Sequence, residues 1–162
     1  SSGCGRLFDA VAAIAGLRLE SLYEGQVAVE LEACAMNCRP GKAIKYDYSV
    51  REEENLFVPG LAEMIEKMAF DAASGNEQTA IARGFHETLA RLTVETAFRI
   101  AQKNGLTRVV LSGGVFNNRL LSGLVERGLR KQGLQVFSHR LVPPGDGGLS
   151  LGQAVIAAQT LI

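Results

Sequence analysis

The spacing of apolar and polar residues divides the chain into a helical N-terminal part and a C-terminal part in which strands and helices alternate. Apolar residues recur every three to four positions in four segments, which predict helices over residues 6–15, 26–36, 61–73 and 77–103. Gly16 stops the first of these helices, and Asn104 with Gly105 stops the last. The first two-thirds of the chain is therefore expected to be mostly helical.

A strand pattern interrupts these helices after a turn at residues 39–42. Residues 44–50 alternate apolar and polar side chains with a period of two, which predicts a half-exposed strand. The charged run at residues 51–55 follows directly and is expected to be a solvated loop.

The C-terminal part predicts a strand over residues 108–111, a helix over about 119–131, a strand over 136–138 and a final helix over 149–161. Strand, helix, strand and helix joined by short links are typical of an α/β layer structure. No internal repeat or linker divides residues 1–162, so one domain is expected. Three predicted strands are few beside the usual ~5–6 in a sheet, and the chain opens on Ser1 without methionine. We therefore expect an excised lobe of a larger protein.

Composition narrows the class of protein. The 162 residues are 47% hydrophobic and 21% charged, which is typical of a soluble globular domain. Seventeen basic residues balance seventeen acidic ones, so we expect neither a nucleic acid nor a membrane surface as partner. An odd cysteine count favours a reducing cytoplasm over a secreted disulfide framework. Cys4, Cys34 and Cys38 are expected to be buried free thiols, because two distant histidines cannot readily complete a zinc site.

A glycine pair follows the strand at residues 108–111, in the stretch SGGVFNN. Gly113 and Gly114 would let a flat or anionic ligand approach the backbone, since glycine has no Cβ. The helix that follows would offer free N–H groups and the positive end of its dipole. Alternatively, Asn117 and Asn118 merely cap that helix.

A second glycine cluster, at residues 141–148, follows the next strand. Ends of successive parallel strands open onto one edge of a sheet, so both clusters are expected to share that edge. Asp146 lies between Gly145 and Gly147 and suits a metal ion or a ribose hydroxyl, although a turn aspartate bonded to its own backbone is the simpler alternative. Asp9 lies in the first predicted helix, where an aspartate is usually explained by the helix dipole.

Four segments together resemble the C-terminal domain of the HypF carbamoyltransferases of [NiFe]-hydrogenase maturation: GRLFDAVAAIAG, YEGQVAVELEA, VVLSGGVFNNRLL and PPGDGGLSLGQA. The resemblance extends from Gly5 to the C-terminus and is more distant to the threonylcarbamoyl-transfer enzymes of tRNA modification. It implies the ASKHA (actin-like, RNase H-like) ATPase fold. This chain would be the second lobe, a small sheet flanked by helices, with the first lobe preceding Ser1.

The resemblance implies a role in nucleotide binding for five residues. Gly113 and Gly114 would lie against the nucleotide with Asn118 as a polar contact, Asp9 would hold the ribose hydroxyls, and Gly25 would bring backbone close to the nucleotide.

Asp146 would complete a His-His-Asp site for a divalent metal (iron, zinc or magnesium). The two histidines of that motif are not in this chain, and His86 and His139 lie outside it.

The resemblance also implies an activity for the intact protein. Carbamoyl phosphate and ATP would give carbamoyl adenylate, and the carbamoyl group would pass to the C-terminal cysteine of a HypE-like partner, later to become the cyanide ligand of the hydrogenase iron. This chain alone is expected to be inactive. Two alternatives stay open: a tRNA threonylcarbamoyl-transfer relative, and a non-catalytic nucleotide-binding or docking lobe. A sugar-kinase-type phosphotransferase is disfavoured because no candidate sugar base is found.

Overall fold

Helices dominate residues 3–160, the part of the chain that the computed structural model describes. The elements in chain order are α1 (Cys4–Ile14), α2 (Gln26–Met36), β1 (Ser49–Glu53), β2 (Leu56–Gly60), α3 (Ala62–Ala73), α4 (Gln78–Asn104), β3 (Arg108–Leu111), α5 (Arg119–Lys131), β4 (Gln135–Ser138) and α6 (Leu149–Thr160). Two 3-10 turns, Gly114–Asn117 and Asp146–Gly148, precede α5 and α6. Every predicted helix is confirmed to within two residues, except that Leu161 lies outside the described residues. None of the helices described is long and apolar enough to cross a bilayer.

The long helix α4 forms the centre of the core. Its buried face carries Ile81, Phe85 and Leu89, which recur at the helical spacing read from the sequence. Helix α1 meets this face through Phe8, whose ring centroid lies 5.0 Å from that of Phe85 in an edge-to-face arrangement. Each fully buried apolar side chain of this size contributes about 1.5–3 kcal/mol to folding. Helices α2 and α5 pack on the same central helix.

The segment before β1 lies on α4 rather than in a sheet. A Cβ on Gly84 would stand 2.1 Å from the carbonyl oxygen of Ile44, so this close approach requires glycine. Tyr46 is fully buried, and its carbonyl accepts a hydrogen bond of 2.7 Å from Arg91. The predicted strand over residues 44–50 is therefore wrong except at its last two residues. The period of two reflects burial of alternate side chains where this segment packs on α4.

The charged run at residues 51–55 forms a hairpin, so its prediction as a loop is wrong for residues 51–53. Strand β1 pairs antiparallel with β2, from Ser49 opposite Gly60 to Glu53 opposite Leu56. Glu54 and Asn55 both have positive φ, 49° and 68°, as the favoured two-residue hairpin turn requires. Four of the five residues of β1 are exposed, so charge alone cannot distinguish such a strand from a loop.

Strands β3 and β4 form a parallel pair connected by α5. The register runs from Arg108 opposite Gln135 to Leu111 opposite Ser138. This strand–helix–strand unit confirms the predicted α/β organisation, and both strands end at the same edge. The loops that leave this edge carry the two glycine clusters.

Candidate functional site

The two glycine clusters meet at the carboxyl edge of β3 and β4. The Gly113 N–H donates to the carbonyl of Pro144 at 2.7 Å, and the Ser112 hydroxyl lies 3.4 Å from the same oxygen. A Cβ on Gly145 would stand 3.3 Å from the Cα of Gly114. The prediction that both clusters share one edge of the sheet is confirmed.

The backbone at Gly113 and Gly114 is open to a ligand. The backbone angle φ of Gly113 is 108°, a value that residues with a side chain rarely adopt. No heavy atom of the described chain outside the immediate neighbours lies within 4 Å of the position a Cβ would take at either glycine. A ligand could therefore contact this backbone directly, and any larger side chain would occupy the space that it needs.

Asn118 caps helix α5 from a buried position. Its side-chain oxygen Oδ1 accepts the Leu121 N–H at 2.8 Å, and only 6% of the residue is exposed. Glu32, which reaches over from α2, accepts the Leu120 N–H at 2.9 Å. The expectation that α5 offers free N–H groups to a ligand is wrong for these two groups, because protein oxygens already bind them. The capping alternative for Asn118 is confirmed, and its contact with a nucleotide stays a prediction.

His86 connects the cap of α5 to the core. Its Nδ1 lies 2.8 Å from the Ala82 carbonyl, and its Nε2 lies 3.0 Å from Nδ2 of Asn118. The ring makes edge-to-face contacts with Phe8 and Phe85 at centroid distances of 5.5 and 5.4 Å. Burial lowers the pKa of His86, so the imidazole is neutral at neutral pH. One signal of this role is visible in the sequence, because His86 falls on the apolar face of α4.

Asp9 lies on the outer side of α1. About half of its side chain is exposed, and its carboxylate lies 3.7 Å from the Arg6 guanidinium one turn earlier. The preceding residue, Phe8, points inward and contacts His86, which in turn bonds Asn118. Helix α1 is thus linked to the start of α5, although Asp9 itself pairs with Arg6. Its contact with ribose stays a prediction.

Gly25 begins helix α2 in the left-handed conformation, with φ 81° and open space around its Cβ position. The loop before it is held by Gln26, a residue that the sequence analysis did not single out. Gln26 is buried, accepts the Leu22 N–H at 2.8 Å and donates to Glu30 at 2.9 Å. Glu30 also pairs with Arg18 at 2.6 Å, and this hydrogen bond lowers the pKa of Glu30. The Gly25 turn is therefore preformed.

Asp146 opens the 3-10 turn before α6 and is exposed. Within residues 3–160, no three His, Cys, Asp or Glu side chains group closely enough to hold a metal ion. Divalent ions need several converging ligands, so the residues present do not fit a metal site by themselves. The role of Asp146 as one ligand of a larger site stays a prediction.

The cysteines do not supply an activated nucleophile. All three are free thiols, as expected, but each is only half-buried and not buried. Burial raises the pKa of Cys4, Cys34 and Cys38, so each stays mostly protonated at neutral pH. Thiolate is the reactive form, so none of the three cysteines is activated for nucleophilic attack.

Comparison with known proteins identifies relatives of the whole chain. A family model for the second subdomain of the Kae1-like carbamoyltransferase domain matches residues 1–153. Carbamoyltransferase HypF of Rhizobium leguminosarum bv. viciae is 39% identical over 100% of this chain and 20% of that protein. A crystal structure of full-length HypF in the phosphate- and nucleotide-bound form matches with a TM-score of 0.89 and 39% identity, covering 99% of this chain and 21% of the other.

A second solved structure, HypF of T. kodakarensis, matches with a TM-score of 0.80 and 31% identity, over 99% of this chain and 20% of that one. The chain thus spans about a fifth of the length of these relatives. The lobe-like α/β architecture expected for the fold class is confirmed.

Proposed function

The chain belongs to the HypF carbamoyltransferase family as the second subdomain of its Kae1-like domain, and on that premise we propose that it supplies one lobe of a nucleotide site used in carbamoyl transfer. The observation that carries the proposal is the meeting of two glycine loops at one sheet edge, with open backbone at Gly113 and Gly114. Flat and anionic ligands bind at such edges in α/β folds. The relative crystallised with nucleotide supports the same assignment.

Asp9 and Gly25 would add to the nucleotide contacts of the glycine loops. Gly113 and Gly114 would lie against the adenosine, and the Asp9 carboxylate would accept hydrogen bonds from ribose hydroxyls. The open turn at Gly25 would let backbone approach the ligand from α2. Asn118 would act mainly by fixing the loop, because it is buried and its amide already bonds to protein.

The group transferred would be carbamoyl, carried on carbamoyl adenylate made from carbamoyl phosphate and ATP elsewhere in the intact protein. This donor is a mixed anhydride, so its AMP phosphate leaves readily. A thiolate from the C-terminal cysteine of a HypE-like partner would attack the carbamoyl carbon. A C–S bond forms, the C–O bond to AMP breaks, and AMP departs with the electron pair, leaving a thiocarbamate. The raised thiol pKa values within this chain support an acceptor from the partner.

Exposed apolar surfaces support a lobe that packs against more protein. Val110 and Phe137 are cross-strand partners on β3 and β4, and their side chains are 66% and 45% exposed. Helix α6 has no charged residue, yet Leu149 and Val155 are both more than half exposed. A helix that is apolar on all sides is normally buried. We propose that the remaining part of the Kae1-like domain covers these surfaces.

The experiment follows two half-reactions in the full-length protein that carries this chain. Carbamoyl-phosphate-dependent pyrophosphate exchange reports formation of the adenylate, and mass spectrometry of the partner's C-terminal cysteine reports transfer. Gly114→Val should reduce transfer at least tenfold and leave exchange intact, because the new side chain fills space reserved for the nucleotide.

Gly123→Val is the matched control. It places the same side chain on α5, where a Cβ first meets the flexible end of Arg127 at 3.2 Å. Transfer that survives Gly114→Val would contradict the proposed site. Transfer of a threonylcarbamoyl group to tRNA, and not of carbamoyl to the protein thiol, would favour the tRNA-modifying alternative. Pyrophosphate exchange without transfer to any acceptor would favour a docking lobe.

A further inference from the structure

A buried chain of three hydrogen bonds runs from α4 to α5 directly behind the glycine loop. His86 Nδ1 bonds to the Ala82 carbonyl at 2.8 Å, Asn118 Nδ2 bonds to His86 Nε2 at 3.0 Å, and Leu121 N–H bonds to Asn118 Oδ1 at 2.8 Å. His86 is fully buried and Asn118 is 6% exposed. Water therefore has little access to replace any of these bonds.

Backbone groups at both ends permit one arrangement of donors and acceptors. The Leu121 N–H can only donate, so the oxygen of Asn118 faces it and the amide nitrogen faces His86. The Ala82 carbonyl can only accept, so the hydrogen of the neutral imidazole lies on Nδ1 and Nε2 accepts from Asn118. Flipping the amide of Asn118 would place donor against donor at Leu121 and acceptor against acceptor at His86.

The oriented amide lies where the 3-10 turn of the glycine loop ends. The Asn118 N–H donates to the Val115 carbonyl at 3.2 Å, and the Ser122 hydroxyl donates to the Phe116 carbonyl at 2.7 Å. Gly114 begins the same turn. The position of Asn118 therefore helps to set how the backbone of Gly114 is presented.

We propose that His86 is a positioning residue for the nucleotide loop: its Nε2 fixes the amide of Asn118 and, through it, the turn that carries Gly114. His86 is buried and touches no ligand in this role. The inference rests on the proposed function of that loop as the nucleotide site.

The surroundings of His86 keep the acceptor available. Phe8 from α1 and Asn118, the cap of α5, contact the ring, and both are uncharged. The carboxylate of Glu32 on α2 raises the pKa of His86, whereas the guanidinium of Arg83 on α4 lowers it. Burial is the largest influence and lowers the pKa. A proton on Nε2 would face the Asn118 amide donor and break the hydrogen-bond chain. Because burial lowers the pKa of His86, nucleotide affinity should weaken only when the pH falls well below the ordinary histidine pKa of about 6.5.

Two substitutions separate the hydrogen bond from the ring packing. His86→Gln keeps an acceptor for Asn118 near the position of Nε2, whereas His86→Phe keeps a ring against Phe8 and Phe85 and removes the acceptor. Calorimetric ATP titrations of the full-length protein should follow the site that Gly114→Val abolishes, because the proposed adenylate-forming step uses ATP at another site. At the glycine-loop site, His86→Gln should bind within about twofold of wild type. His86→Phe should bind about fivefold to tenfold more weakly, as expected for one broken contact. His86→Gln should also lack the loss of affinity at low pH that the wild type shows beyond the titration of ATP itself.

Wild-type affinity in His86→Phe, or equal losses in both variants, would overturn the inference. A measurement that needs no variant is the nitrogen NMR spectrum of histidine-labelled wild type, where the hydrogen of His86 should lie on Nδ1; an Nε2–H tautomer or an imidazolium at neutral pH would overturn it too.

Gly114→Val distinguishes this inference from the proposed function. An ATP titration of Gly114→Val that still shows every site of the wild type would reject the loop as a nucleotide site. Lost affinity in Gly114→Val beside wild-type affinity in His86→Phe would reject only the role of His86.

Discussion

Substitution of Asn118 should lower the free energy of unfolding more than an ordinary surface change does, because its amide makes hydrogen bonds to two buried groups. Asn118→Ala removes the oxygen that caps α5 at Leu121, and losing such a cap costs about 1 kcal/mol. It also leaves the buried Nε2 of His86 without a donor, which costs a further 1–3 kcal/mol or so. We therefore expect Asn118→Ala to lower the free energy of unfolding by about 2–4 kcal/mol.

Asn118→Asp tests the direction of the hydrogen bonds. The carboxylate retains an oxygen for the Leu121 N–H but presents an acceptor to Nε2 of His86, which is also an acceptor. The contact is restored only when His86 binds a proton. The folded-state pKa of His86 should therefore rise in this variant, whereas burial lowers it in the wild type.

The stability of the wild type and the stability of Asn118→Asp should therefore change in opposite directions with pH. In the wild type, the unfolded chain binds a proton at His86 that the folded chain does not, so stability falls as the pH falls below about 6.5. In Asn118→Asp, the folded chain binds the proton more tightly, so stability is greatest at low pH and is lost as the pH rises through the raised pKa.

Urea unfolding between about pH 5.5 and 8 measures the free energy of unfolding of wild type and of both variants, and each variant is compared with wild type at every pH. Asn118→Ala has no carboxylate and should keep the sign of the wild type. The same pH slope in Asn118→Asp as in wild type would refute the reasoning, as would a cost of Asn118→Ala well below 1 kcal/mol or so.

Three further outcomes are expected. Gly84→Ala should lower the urea midpoint by the equivalent of about 1–3 kcal/mol, because its Cβ would stand 2.1 Å from the Ile44 carbonyl oxygen, while Gly123→Ala should be neutral or slightly stabilising. Asp146→Ala should change stability by no more than ~0.5 kcal/mol, yet reduce carbamoyl transfer while pyrophosphate exchange continues; equal loss of both activities would contradict that division of labour. The three cysteines should react with a thiol reagent more slowly than free cysteine at pH 7 and faster as pH rises, because burial raises each thiol pKa.

Local patterns were sufficient to predict the helices and the parallel strand pair. Helical periodicity is strong across α1 and α4, and a glycine pair directly follows β3. Each of these signals lies within a few neighbouring residues, so it can be read without knowing the fold. The hairpin β1–β2 could not be predicted in this way. Its charged residues are exposed in a strand as they would be in a loop, and the segment before it alternates because it packs on α4.

In the candidate site, the glycine loops and the cap at Asn118 could be predicted from the sequence. Gly113, Gly114 and Gly25 need particular backbone conformations or open space, and glycine itself signals that need. The contacts that hold the loops join distant positions: His86 and Asn118 are 32 residues apart, and Glu32 and Leu120 are 88 apart. Periodicity indicates that such residues face inward, but their partners depend on how whole helices pack.

If the paired glycine loops bind the nucleotide, a crystal structure of the full-length protein with ATP will show it directly. Adenosine should lie against the backbone of Gly113 and Gly114, with the ribose hydroxyls facing Asp9. ATP bound only at sites away from both glycine loops, with Gly113 and Gly114 free of ligand, would contradict this prediction.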